Sequence, residues 1–98
     1  MKKYSFLWND DIYLVHVQFD MKNFDELAER DIVITRHHTD GSNTIETKTI
    51  TNNGFRFIIS RSCPEENGIE IEYNDNVTMK LYIIDDRAYY PTETYYEG

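Results

Sequence analysis

Over most of the chain apolar and polar residues alternate with a period of two, the mark of strands that bury one face and wet the other. Lys3–Trp8 and Ile12–Phe19 are the first such runs, and in the second Tyr13, Val15, Val17 and Phe19 fall on one face. Only Asn9, Asp10 and Asp11 separate the two, so they read as a hairpin. The period changes in MKNFDELAERD, where Phe24, Leu27 and Ala28 recur at i, i+3 and i+4, with Asn23 placed to cap and Glu26 three residues on. That spacing predicts a helix of about two turns from Asn23 to Arg30, too short to hold without packing on a sheet.

Alternation then returns. IVITRHHT and TIETKTIT flank Asp40-Gly41-Ser42-Asn43, a tight-turn sequence, and read as a second hairpin. The later of these strands is polar apart from Ile45 and Ile50, which have opposite parity, so it is expected at an exposed edge. FRFIISRS places Phe55, Phe57 and Ile59 on one face. IEIEYN turns Ile69, Ile71 and Tyr73 inward and Glu70 and Glu72 outward, and VTMKLYII sets Val77, Met79, Leu81 and Ile83 against Thr78, Lys80 and Tyr82.

The expected fold is therefore α+β and mainly β: about seven short strands in the order ββαβββββ, in a twisted antiparallel sheet curled toward a sandwich or half-barrel, with the helix closing one side. A chain of 98 residues makes a single domain over 1–98, with no internal repeat or linker, and residues 87–98 stand apart as a tyrosine-rich tail or edge strand.

Composition adds a surface to this outline. Hydrophobic residues at 40% place the chain among folding sequences even though 29% of it is charged. Eighteen acids against ten bases leave a net charge of −8, which repels nucleic acid and anionic membrane and favours a basic partner. No apolar run approaches the roughly 18 residues of a membrane helix. MKKYSFLWNDD meets acids by Asp10 and is not a secretory signal, so a cytoplasmic protein is expected, in the host cytoplasm if phage-encoded. Without export, the glycosylation pattern Asn76-Val77-Thr78 has no mechanism behind it, and the single cysteine, Cys63, forms no internal disulfide.

The acids are unevenly spread. PEENGIEIEYNDN holds Glu65, Glu66, Glu70, Glu72 and Asp75 without a base, and Asp85 and Asp86 precede a terminal stretch with Tyr89, Tyr90, Tyr95 and Tyr96 around Pro91. Carboxylates spaced along a sheet, with amphipathic rings among them, can imitate the phosphate array of a nucleic acid. Tyrosine suits such a surface through its large contact area and polar tip. The plain alternative is that outward strand positions are polar for solubility and that TETYY adds an edge strand, in which adjacent tyrosines face opposite ways.

Other constellations are weaker. His37 and His38 in RHHTD point to opposite faces of a strand, which suits one shared metal ion poorly even with Asp40 or His16 nearby. Asp40 with Glu46-Thr47-Lys48 has the D…E-x-K pattern of magnesium nucleases, but three residues recur by chance and the net charge opposes binding DNA. Cys63 has Arg61 near it but also two glutamates and no placed base. The expected function is a non-enzymatic, acidic protein-binding inhibitor that blocks a basic, nucleic-acid-handling effector by nucleic-acid mimicry, binding neither nucleic acid nor membrane itself and needing no metal or cofactor. By size and charge it is comparable to phage anti-restriction and anti-CRISPR proteins and toxin-neutralising immunity proteins. Two alternatives stand beside it: a small assembly subunit, such as a homodimer, pairing through its tyrosine-rich terminal strand, and a metal-dependent nuclease-like enzyme.

Overall fold

The computed structural model describes residues 1–84 and 89–92, with only the backbone described for 83–84 and 89–92. Eight strands follow in chain order: β1 (Lys2–Leu7), β2 (Leu14–Asp20), β3 (Asp31–His38), β4 (Asn43–Thr49), β5 (Phe55–Ser60), β6 (Glu66–Tyr73), β7 (Thr78–Ile84) and β8 (Tyr89–Thr92). They form two antiparallel four-stranded sheets, the first in the order β1-β6-β3-β4 and the second β5-β2-β7-β8. The mainly β, antiparallel reading holds.

Period-two alternation decides which side chains meet between the sheets. Ile32 and Ile34 from β3 and Ile69, Ile71 and Tyr73 from β6 line the inner face of the first sheet; Val15, Val17 and Phe19 from β2 and Met79 and Leu81 from β7 line that of the second. The Phe19 and Tyr73 rings meet edge to face across the core with centroids 5.4 Å apart. Lys2 Nζ donating to the Val77 carbonyl at 3.1 Å and Lys48 Nζ at 5.0 Å from the Phe57 ring centre tie the flanks of the two sheets.

Three expectations need correction. β1 and β2 are not a hairpin: β1 pairs with β6, β2 with β5 and β7, and the Asn9–Ile12 link carries the chain from one sheet to the other. The Asn9 side-chain oxygen accepts from the N–H groups of Asp11 and Ile12 at 2.7 and 2.8 Å, making a compact turn, and Trp8 is buried beside it. In place of the Asn23–Arg30 helix there is one 3₁₀ turn over Phe24–Glu26, so the α component falls away. Asn23 makes no side-chain cap and Leu27 is already extended at ψ 110°. The side chain of Arg30 takes over instead, donating to the Phe24 and Leu27 carbonyls and lying 4.2 Å from the Phe24 ring centre. So short a helix cannot repay its nucleation when a side chain satisfies the same carbonyls.

The third concerns Glu66, which strict alternation sends outward and the structure buries completely. β3 and β6 run in register from Val33↔Glu72 to His37↔Gly68, but His38 faces Glu66, so Asn67 is an extra residue on β6. Such a bulge resets the parity of the strand beyond it. Gly68 marks the place: a Cβ there would lie 3.1 Å from the Phe6 carbonyl oxygen and 3.2 Å from Leu7 Cδ2, so β1 approaches it tightly and a side chain would press it back by a few tenths of an ångström.

The β3–β4 hairpin forms as expected. Gly41 takes φ +89°, His38 N–H donates to the Ser42 carbonyl at 2.9 Å, and Asp40 accepts from both the backbone N–H and the hydroxyl of Ser42. β4 is a polar edge of the first sheet.

Candidate functional site

The acidic stretch that begins at Glu65 is divided by the bulge. Beyond it, on regular β6, Glu70 and Glu72 share the outward face of the first sheet and are half-buried. Lys3 sits opposite Glu72 and reaches diagonally to Glu70 at 3.5 Å, while Val33 and Thr35 flank them on β3. Two carboxylates of the run thus share this face, with one lysine set beside them. Asp75 lies past the end of β6, 3.1 Å from the amino group of Met1.

On the other side of the bulge Glu66 is not part of any surface. Its carboxylate accepts from Trp8 Nε1 at 2.6 Å, from the Ser62 hydroxyl at 2.6 Å and from Arg36 Nη1 at 3.0 Å to both oxygens. Arg36 comes from the inner face of β3 and also donates to the Ser60 carbonyl at 2.9 Å and pairs with Glu46 at 3.4 Å, joining both sheets through one guanidinium. Burial works to raise the Glu66 carboxyl, and the bonds from Ser62 and Arg36, the Arg36 charge and the Trp8 indole outweigh it, so its pKa lies below the usual 4.5. Glu66 is a structural anion and drops out of the expected binding set.

Around this anchor the β1–β2, β3–β4 and β5–β6 loops gather at one end of the sandwich. The Thr39 N–H donates to the Glu65 carbonyl at 2.8 Å, and the Arg61 N–H to the Tyr13 carbonyl at 2.9 Å. Asp10, Asp11, Asp40 and Glu65 are all exposed on these loops. Both arginines at this end are turned inward: Arg36 to Glu66, and Arg61 to the Glu66 and Pro64 carbonyls at 2.9 and 2.8 Å. The hydroxyl and N–H of Ser42 hold the Asp40 carboxyl below its ordinary range, so it stays ionised. Asp10 and Asp11 are visible as a pair in the sequence, yet only the topology shows that they share an end with Glu65 and Asp40.

No family model, curated protein or solved structure matches this chain.

The remaining candidates fall as follows. Tyr89 and Tyr90 occupy β8, which pairs with β7 through Ile84↔Tyr89 and Ile83↔Tyr90 and lies at the edge of the second sheet. Asp85, Asp86, Tyr95 and Tyr96 lie outside the described residues. His37 bonds Asn43 at 2.9 Å and His38 bonds Thr44 at 3.2 Å, while His16 is in the other sheet, 5.8 Å between ring centres from Tyr82. Of the nuclease-like set, Asp40 is engaged in its turn, Glu46 pairs with Arg36, and Lys48 lies over Phe57. Among the described residues no three His, Cys, Asp or Glu side chains converge as a metal site. An open cleft beside the Met21–Leu27 loop is lined by Asp20, Lys22, Glu26 and Lys80, but Asp20 is already satisfied by Gln18 at 3.1 Å and Lys80 at 3.8 Å.

The outward face of the second sheet has a different character. Ile58, His16 and Tyr82 stand side by side across β5, β2 and β7, with Leu14 next to them, and Arg56, Gln18 and Lys80 form the adjoining row. Burial, and then the Arg56 charge, lower the pKa of His16, so the centre of this face is neutral at pH 7.

Proposed function

We infer that this protein is a non-enzymatic binding module that blocks a basic, nucleic-acid-handling protein through an acidic surface. The observation that carries the reading is the loop end of the sandwich, where Asp10, Asp11, Asp40 and Glu65 are exposed while Arg36 and Arg61, the arginines beside them, are committed to Glu66 and its neighbours. Fixed negative charge in excess of the two arginines presents a partner with a predominantly negative field, as a phosphate array does. Glu70 and Glu72 extend that field along the outward face of β6, with Lys3 as a local counter-charge. A partner built to hold nucleic acid offers the lysines and arginines this surface lacks, and occupation of its groove is inhibition. Tyrosines, in which the terminal region is rich, are the residue type such an interface uses for apolar anchoring.

The test is affinity capture on immobilised protein from a lysate of the source organism, washed over a salt series from about 50 to 500 mM. The expected partner is basic, elutes as salt rises, is displaced by its own nucleic acid, and is not held by the Glu70→Lys/Glu72→Lys variant combined with Asp10→Lys and Asp11→Lys. Capture that survives both high salt and these reversals contradicts the reading.

A further inference from the structure

Four strands have one side unpaired among the described residues: β1 and β4 in the first sheet, β5 and β8 in the second. Open edges invite pairing with another chain, and proteins blunt them with lysine, proline, short length or inward-pointing charge. Three of these edges carry such a device. β1 opens on Lys2 and Lys3, β4 turns Glu46 and Lys48 toward the interior, and β8 is only 4 residues long and contains Pro91. β5 is the least protected: FRFIIS contains no lysine, proline or glycine, Arg56 is its one charge, its inward residues Phe55, Phe57 and Ile59 are apolar, and Ile58 on its outward face is 59% exposed.

The backbone of β5 shows which groups the edge offers. The bond from the Arg61 N–H to the Tyr13 carbonyl sets the alternation of the β2–β5 ladder, so Phe57 and Ile59 turn their N–H and C=O groups to β2 and Arg56, Ile58 and Ser60 turn theirs to the open side. The Ser60 carbonyl, accepting from Arg36 across the sandwich, points that way too.

We propose that two copies of this chain associate through β5, edge to edge and antiparallel, about a two-fold axis at Ile58. Residues directly opposite in an antiparallel pair share a face of the sheet, so a strand pairing with itself must be centred on one residue. Ile58 is the middle of the three whose backbone groups face outward. In that register Ile58 exchanges hydrogen bonds with the partner's Ile58, and Arg56 lies opposite the partner's Ser60, whose carbonyl already accepts from Arg36 and can share only its second lone pair. Phe57 packs opposite the partner's Ile59 in the core layer, and the Ile58–His16–Tyr82 row continues into its two-fold copy. The charges favour a second copy as occupant. In a chain of net charge −8, the stretch 55–62 contains Arg56 and Arg61 and no acid, so here the mutual repulsion of two acidic molecules is least. The two Arg56 side chains are offset by four residues, roughly 13 Å, beyond the Debye length of about 8 Å at physiological salt, and the partner's Arg61, which falls opposite Phe55 and so beside Arg56, has its guanidinium turned to its own Glu66 and Pro64 carbonyls. Pairing here leaves the acidic loop surface uncovered, so a dimer and a monomer present the same acidic end to a partner.

The test is cross-linking with sedimentation. A strand-edge interface is small, so the wild-type protein is expected to pass from monomer to dimer over roughly 10 µM to 1 mM. Opposed residues in such a pair have Cα atoms about 5.5 Å apart, within disulfide reach. In a Cys63→Ser background, Ile58→Cys is expected to oxidise to a covalent dimer and Arg56→Cys to stay monomeric. Ile58→Lys, which opposes two like charges on the axis, is expected to remain monomeric with an unchanged unfolding midpoint. Wild-type protein that is monomeric at 1 mM, or Arg56→Cys cross-linking as fast as Ile58→Cys, overturns the proposal.

Discussion

Glu66 and the pair Glu70 and Glu72 belong to one strand and one acidic run, yet they occupy opposite environments. At the bulged start of β6 the carboxylate is wholly buried under Trp8, Ser62 and Arg36; along the regular remainder the carboxylates lie on the outward face, half-exposed, with Lys3 between them. The difference is made by one inserted residue, Asn67, and by Gly68, which lets β1 close over it. Identical side chains are thereby given different work: one holds the two sheets together through Arg36, and the others shape the field outside. Acidity in a sequence is a statement about surface only where the strand parity is known.

This contrast can be broken at its buried side first. Glu66→Ala leaves Arg36, with only 19% of its side chain accessible, without its main counter-charge, and leaves Trp8 and Ser62 without an acceptor. Removing one partner of a buried pair typically costs about 3–5 kcal/mol, and a loss of that size in chemical unfolding is expected here. Gly68→Ala comes next. Its methyl group would lie 3.1 Å from the Phe6 carbonyl oxygen and 3.2 Å from Leu7 Cδ2, so β1 must give by a few tenths of an ångström, and a loss smaller than that of Glu66→Ala is expected in chemical unfolding.

Acid sharpens the same comparison. The Glu66 pKa is lower in the folded protein than in the unfolded chain, so its contribution is fully present above the ordinary value of 4.5 and is lost as pH falls through the folded value. Glu66→Gln has no such proton to take up, and its stability is expected to fall less steeply below pH 4.5 than that of the wild type, as read from unfolding midpoints across pH. The outward pair should matter least for stability. Glu70→Gln/Glu72→Gln gives up a partly exposed contact to Lys3, and such contacts are worth about 0–1 kcal/mol.

Much of this fold is legible in the sequence. The inward faces of β2, β6 and β7 follow from alternation, the β3–β4 turn from Asp40-Gly41, and the polar edge from the threonines of β4. What alternation cannot carry is a change of its own phase, so Glu66 reads as outward until the register of β3 is known. Nor does local spacing reveal partners: β1 and β2 are adjacent in the chain and lie in different sheets. The helical period at Phe24 and Leu27 is real, but both side chains pack on the core from a loop that Arg30 closes. Of the candidate surface, Glu65, Glu70 and Glu72 are visible as a run, whereas its union with Asp10, Asp11 and Asp40 comes from long-range loop contacts.

The most direct test of the division within β6 is urea unfolding at pH 7 of the wild type, Glu66→Gln and Glu70→Gln/Glu72→Gln side by side. A large drop in midpoint for the single buried substitution, with the outward double substitution close to wild type, is the predicted result. Equal midpoints for the two variants, or a larger drop for the outward pair, would contradict the assignment of Glu66 as the internal strut of an otherwise surface-facing acidic run.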